Sequence, residues 1–313
     1  MRSKLAKSGA LLIIIIALTS GIEACPHGTF SPSAWGAQSW LDASTSQKSS
    51  NSATSDTSVD TAVEEPETVS DEDEHIAYYI DTSFMSAEEL EEMLVSETKP
   101  LIAYVSINPP QGSSYIDGSM NLSSDRFIQK DDSGDEMLKS VSGLAGALGD
   151  AGITEEDVVV VYGDCFSCGD QTFVLWMMKY LGHQNVRILK GPATGLPTAS
   201  TTTTKHAAIY LEDPVTELLA DYDSVTSGEF VVVDARAPDR FAADHIDGAV
   251  NIDFNSLIEG DWIKDDSALA EIFIDLEDDS PVIVYSDDVR EASIVWYALQ
   301  HLGYDARIYA ETD

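Results

Sequence analysis

Short apolar runs punctuate the chain at regular places: Leu101-Ile-Ala-Tyr-Val105, Val158 to Tyr162, Val231-Val-Val233 and Val282 to Tyr285. Each is three to five residues long, rich in β-branched side chains and bounded mostly by polar residues, proline or glycine, the pattern of a strand buried on both faces. Longer stretches with helical spacing follow, among them Phe173 to Leu181, which Gly182 closes. Strands alternating with helices predict an α/β fold with mainly parallel sheets flanked by helices. In such sheets binding and catalytic groups collect beyond the carboxyl ends of the strands. The turns after Tyr162 and Tyr285 are therefore the first places to look for chemistry.

The runs also repeat. Leu101-Ile-Ala-Tyr-Val-Ser106 and Ile116-Asp-Gly-Ser-Met-Asn121 align without gaps with Val231-Val-Val-Asp-Ala-Arg236 and Ile246-Asp-Gly-Ala-Val-Asn251. Each copy continues to an apolar strand ending in Tyr, a helix with a central Trp (Trp176, Trp296), a Leu-Gly stop (Leu181-Gly182, Leu302-Gly303) and a final strand with Arg-Ile (Arg187-Ile188, Arg307-Ile308). So many matches in one order predict two copies of one α/β unit. They occupy residues 76–191 and 208–313, with a threonine-rich linker at 192–207.

The N-terminal quarter has a different pattern. Arg2, Lys4 and Lys7 precede the apolar run Ala10 to Leu18, a basic segment followed by a hydrophobic one too short to span a bilayer. This predicts an export signal over residues 1–24. Ile22-Glu-Ala-Cys25 resembles the lipobox of prokaryotic lipoproteins, which makes Cys25 the expected lipidation site and the membrane an expected partner, with the folded part outside the cytoplasm. Residues 25–75 are rich in Ser, Thr and then acid, and bury too little apolar area to fold, so they read as a tether.

Charge narrows the partners. The chain carries 55 acidic against 17 basic residues, a formal net charge of -38. Such a surface repels nucleic acid, which is excluded as a partner. Acid spread over the whole length also suits a protein kept soluble in strong salt, where the Debye length falls to about 3 Å at 1 M.

Only three cysteines are present, and two of them, Cys165 and Cys168, lie in the turn after Tyr162. A strand-to-helix turn offers unpaired backbone N–H groups and the positive end of the helix dipole, which favour a thiolate. A local disulfide without chemistry is the competing reading. Two cysteines with no second pair and no His-x3-5-His do not make a zinc site, and no metal or cofactor is expected.

The stretch from Val231 to Asn251, with Asp234-Ala-Arg236 and then His245-Ile-Asp-Gly-Ala-Val-Asn251, resembles the opening signature of rhodanese domains. The whole organisation is similar to tandem-domain sulfurtransferases of the thiosulfate and mercaptopyruvate type. That resemblance implies a catalytic Cys directly after the strand of the second half, and Ser286 stands there. A serine hydroxyl does not replace a thiolate as sulfur carrier. Asp234, Arg236, His245 and Arg290 fall on positions that support the loop architecture. In the first copy Tyr104 and Ser106 replace Asp234 and Arg236. A phosphatase of the related Cys-x5-Arg type is excluded, since Gln171 and Val174 occupy the positions where its Arg belongs.

What remains is an envelope sulfurtransferase-like protein passing sulfane sulfur through Cys165 or Cys168, from a small sulfur donor. The Cys-x-x-Cys spacing also suits a dithiol redox pair. The rival is a catalytically inactive tandem module that binds a protein partner, with Cys165 and Cys168 in a structural or redox disulfide.

Overall fold

Leu101–Tyr104 and Val231–Asp234, the paired apolar runs, each lie inside a parallel sheet. The computed structural model describes residues 82, 84–107, 112, 114–132, 134, 136–191, 195–276 and 280–312. The expected export signal, Cys25 and the 25–75 tether lie outside the described residues.

The first half contains, in order, α1 (Ala87–Leu94), β1 (Leu101–Tyr104), β2 (Tyr115–Ile116), β3 (Met120–Asn121), β4 (Ile128–Lys130), β5 (Glu136–Leu138), α2 (Val141–Asp150), β6 (Val159–Tyr162), α3 (Asp170–Tyr180), β7 (Val186–Ile188) and β8 (Thr198–Ala199). The second contains β9 (Leu219–Ala220), α4 (Tyr222–Ser227), β10 (Val231–Asp234), α5 (Pro238–Ala243), β11 (Val250–Asn251), β12 (Ile258–Glu259), β13 (Trp262–Ile263), α6 (Asp266–Ile272), β14 (Val282–Tyr285), α7 (Val289–His301) and β15 (Ala306–Tyr309).

The sheets run β3-β1-β6-β7 and β11-β10-β14-β15-β9, all parallel. A parallel bridge between Met85 and Leu189 puts chain beside β7 where β9 lies beside β15, so the strand positions correspond one to one. The register aligns Tyr104 with Tyr162 and Asp234 with Tyr285, which places the four residues at the same level of their sheets. The central strands β6 and β14 are buried along their whole length, as uninterrupted apolar runs require. Helices cover both faces. Leu90 of α1 and Val225 of α4 close two small outer cores, while α2, α3 and α7 contribute to one large core that continues from one half into the other.

Helix α3 starts at Asp170, three residues before the apolar run at Phe173. Its first turn is Asp170-Gln171-Thr172, polar in sequence yet buried, because protein covers it: Ser124 and Gly163 of the same half and Ser293 of the other. Of its eleven residues, only Lys179 is not buried, and α7 is buried along most of its length as well. Helices apolar or covered all round belong in the interior, and these two pack on each other. Thr172 and Ser293 share a hydroxyl hydrogen bond of 2.7 Å across that contact.

The stretch expected as a linker contains β8, which pairs antiparallel with β2. Beyond it, backbone N–H groups of Thr203, Ala208, Asp213 and Val215 donate to Ser119, Gly149, Leu181 and Tyr180. The connection therefore runs along the first half instead of swinging between the two. At the other end, Leu138 N–H donates to the Glu311 carbonyl at 2.9 Å, so the last strand's exit returns to the first half.

Gly169, with φ of 75°, caps α3 in the left-handed region, and a Cβ there would press into the Arg290 backbone. Gly228, with φ of 80°, ends α4 with nothing near its missing Cβ. Replacing Gly228 with Ala should cost only the left-handed strain, about 1–2 kcal/mol. Gly169→Ala should cost clearly more, because the two halves must also part, and the urea midpoints of the two variants compare the effects directly.

Candidate active site at the strand ends

Two turns stand at the sheet ends, one in each half. In the second half β14 ends at Tyr285, Ser286 follows at once, and Asp288 caps α7 by accepting from Arg290 N–H at 2.9 Å. Ser286 Oγ donates to Glu291 Oε2 at 2.5 Å. Burial pushes the Glu291 carboxyl above its ordinary value, and the Ser286 hydrogen bond only partly opposes this.

Carboxylates occupy the cations around this turn. Arg236 meets Asp234 through Nη2 at 2.6 Å and through Nε at 3.0 Å, and reaches Asp287 at 3.2 Å. Arg240 also pairs with Asp287. Arg290 takes Asp288 at 2.9 Å and, across to the first half, Glu136 at 3.1 Å. Burial alone would lower the pKa of Arg236, but its bonds and charge contact with Asp234 outweigh that and hold it above the ordinary value. Asp234 also accepts from Tyr285 Oη at 2.6 Å, and Asn251 Nδ2 donates to the carbonyls of Asp234 and Arg236. His245 lies apart from the turn's ion pairs, exposed, with Nδ1 donating to the Phe241 carbonyl at 2.9 Å and its ring stacked on Phe241. The result is a closed set of ion pairs around a hydroxyl.

In the first half β6 ends at Tyr162 and Gly163 takes the place next to it. Tyr162 Oη accepts from Ile116 N–H at 2.9 Å, as Tyr285 Oη does from Ile246 N–H at 3.1 Å, so the repeat extends to this contact. Tyr104, at the level of Asp234, donates to Asp164. Burial, reinforced by that carboxylate, raises the Tyr104 pKa far above the usual phenol range. Cys165 and Cys168 form a disulfide with Cα atoms 5.4 Å apart. Both are half-buried, while Phe166 between them is buried. The Gln171 amide is buried beside Gly163 with neither Nε2 nor Oε1 hydrogen-bonded.

The sequence shows no Arg or Lys between Tyr162 and Lys179. The tertiary structure brings one from the other half, since Asp170, in the first turn of α3, accepts from Ser124 and feels the charge of Arg290. Sequence reading also passed over Glu291 and Glu136. Glu291 lies within five residues of Ser286 and had a local signal, whereas nothing in the local sequence links Glu136 to Arg290, 154 residues away. Among the described residues no group of three or more His, Cys, Asp or Glu side chains could hold a metal ion.

Comparison with known proteins bears on both halves. Residues 215–311 match the family model of the rhodanese-like domain. A Haloferax volcanii protein named provisionally as a thiosulfate sulfurtransferase is 28% identical over 186 residues, 50% of this chain and 65% of that protein. The Bos taurus thiosulfate sulfurtransferase is 32% identical over 160 residues, 44% of this chain and 54% of its own. The matches thus span less than two thirds of these relatives. A 3-mercaptopyruvate sulfotransferase of Escherichia coli shares the fold with a TM-score of 0.63 at 21% identity, over 73% of this chain and 97% of that one.

Two outcomes follow from the second turn. Asp234→Ala leaves the buried Arg236 with Asp287 as its remaining carboxylate, and should cost about 3 kcal/mol, the lower end for a broken buried pair, in chemical unfolding. Glu291→Gln should stabilise the protein at neutral pH. A carboxyl with a raised folded-state pKa contributes stability below its ordinary value and loses it as pH rises through the folded value. The variant's advantage should therefore shrink as pH falls through the carboxylate range, which paired melting curves at several pH values would record.

Proposed function

We propose that this chain, with its rhodanese-like domain and its similarity to thiosulfate sulfurtransferases, is an exported sulfurtransferase-like protein. It is built from two rhodanese-like domains and anchored to the membrane through Cys25. Sulfane sulfur passes through a persulfide on Cys165 or Cys168 after their disulfide is opened. The observation that carries this reading is the state of the other turn. There Ser286 is bonded to Glu291, and Arg236, Arg240 and Arg290 are paired with carboxylates, so that turn offers neither a sulfur nucleophile nor an unpaired guanidinium.

The step is ordinary sulfur chemistry. A Cys thiolate attacks the outer sulfur of thiosulfate, breaking its S–S bond so that sulfite leaves, or the thiol sulfur of 3-mercaptopyruvate, breaking its C–S bond so that the pyruvate enolate leaves and takes up a proton. The terminal sulfur of the persulfide then moves to a nucleophilic acceptor and the thiolate returns. The helix α3 N-terminus favours the anionic sulfur, while Asp164 and the buried Asp170 oppose it. That charge balance favours a singly charged donor such as 3-mercaptopyruvate over the thiosulfate dianion.

The Cys165–Cys168 disulfide favours a second reading, a non-catalytic pair of domains that binds a protein partner outside the cytoplasm. One measurement separates the two. The reduced protein is incubated with each donor, and the peptide holding residues 163–172 is weighed for an added sulfur that cyanide removes as thiocyanate. Sulfur transfer predicts the adduct, with 3-mercaptopyruvate the better donor, and its loss in either Cys165→Ser or Cys168→Ser names the carrier. No adduct from either donor on fully reduced protein leaves the binding module.

A further inference from the structure

The two cysteines enclose Phe166, and Phe166 turns toward the second half. Its ring, 2% exposed, lies 4.9 Å from that of Trp262 on β13 and 6.1 Å from that of Tyr297 on α7, both of the second half. Phe84, just before α1, completes the cluster at 6.0 Å from Phe166, 5.6 Å from Trp262 and 5.4 Å from Tyr297. Next in the chain, Gly169 packs against the Arg290 backbone, and Ser293 Oγ bonds the Arg290 carbonyl at 2.7 Å and lies 3.4 Å from the Gly169 carbonyl. The disulfide loop is thus one face of the joint between the halves. The two cysteines are half-buried, while Phe166 between them is buried.

A disulfide across two intervening residues removes little chain entropy from the whole protein, so its effect is to fix local shape. Here that local shape is a turn, with Gly169 N–H donating to the Phe166 carbonyl at 3.0 Å, that presents Phe166 to Trp262. We propose that Cys165–Cys168 is a thiol–disulfide exchange site for a dithiol reductant, and that its oxidation state sets how firmly Phe166 seats the first half on the second. The proposal is independent of whether sulfur passes through either cysteine.

The exchange balances without a further reactant. A thiolate of the dithiol attacks Cys165 Sγ, the bond to Cys168 breaks, and the Cys168 thiolate leaves beside the Gly169 cap of α3, where the helix N-terminus favours negative charge. The second thiol of the reductant then displaces Cys165 from the mixed disulfide. Two electrons and two protons pass to the protein, and the reductant becomes a disulfide. Opening the small ring frees the backbone of residues 165–168, and Phe166 loses the constraint that holds it in the aromatic cluster.

Hydrogen–deuterium exchange on the full chain, with and without dithiothreitol, tests this. Reduction should speed exchange on the order of tenfold, a local opening rather than a global one, at residues 164–169 and 258–263, with β1, β6, β10 and β14 unchanged. Phe166→Ala, left oxidised, should show the same fast segments. The double variant Cys165→Ala, Cys168→Ala should show them without dithiothreitol and not respond to it. Equal exchange in both redox states, a slow Phe166→Ala, or a rise spread equally over the central strands would overturn the proposal. So would two thiols that alkylate in the native protein before any reductant is added.

Discussion

The packing of α3 against α7 is the constraint on which the rest of this structure depends. Each helix covers one parallel sheet, and each is buried on its other side by its counterpart, so the large core runs through both halves. That arrangement forces the first turns of both helices into the interior. The polar residues there, Asp170, Thr172, Arg290 and Ser293, then need partners inside the protein, because a buried polar group without one costs more than the hydrogen bond it forgoes. Ser124, Glu136, Asp288 and the Thr172–Ser293 pair supply them. The same helix starts are where each sheet presents its strand-end turn, so docking of the halves and the chemistry of the turns share residues.

The two turns occupy equivalent positions and have diverged in opposite ways. In the second, carboxylates close on the guanidinium groups, and the residue after the strand is a serine tied to a buried glutamate. In the first, the Asp-x-Arg pair is gone, a tyrosine-to-aspartate bond stands in its place, and sulfur enters through a longer loop. The sum of charges explains why neither resembles an open anion cradle. A chain with a formal net charge of -38 has acid available at almost every turn, and among the described residues Arg187, Arg236, Arg240, Arg290 and Arg307 are each paired with a carboxylate.

Much of the fold was legible in the sequence. Uninterrupted β-branched runs mark the central strands, the aligned segments fall on β1, β3, β6 and β7 and on β10, β11, β14 and β15, and the turns after Tyr162 and Tyr285 lie at strand ends as expected. The polar first turn of α3 was not legible, since hydrophobic periodicity measures exposure to water and these side chains are hidden by protein. The stretch at 192–207 read as a plain connector because its threonines carry no apolar period, yet part of it pairs as a strand through backbone groups that any residue possesses.

For the site, the sequence by itself determined which atoms are available: two thiols in one turn, a hydroxyl in the other, and acid around both. Only the tertiary structure decided what those atoms face. That Arg290 reaches Glu136 and feels the charge of Asp170, and that Phe166 seats against Trp262 and Tyr297, follow from how two sheets and two buried helices dock, whereas Arg236 and Arg240 share Asp287 because β10 lies beside β14 in one sheet. Local sequence sets backbone propensity and the period of burial within one element. Which side chains meet across the joint depends on the relative placement of residues as far apart as Thr82 and Tyr297, 215 positions, and no local pattern encodes it.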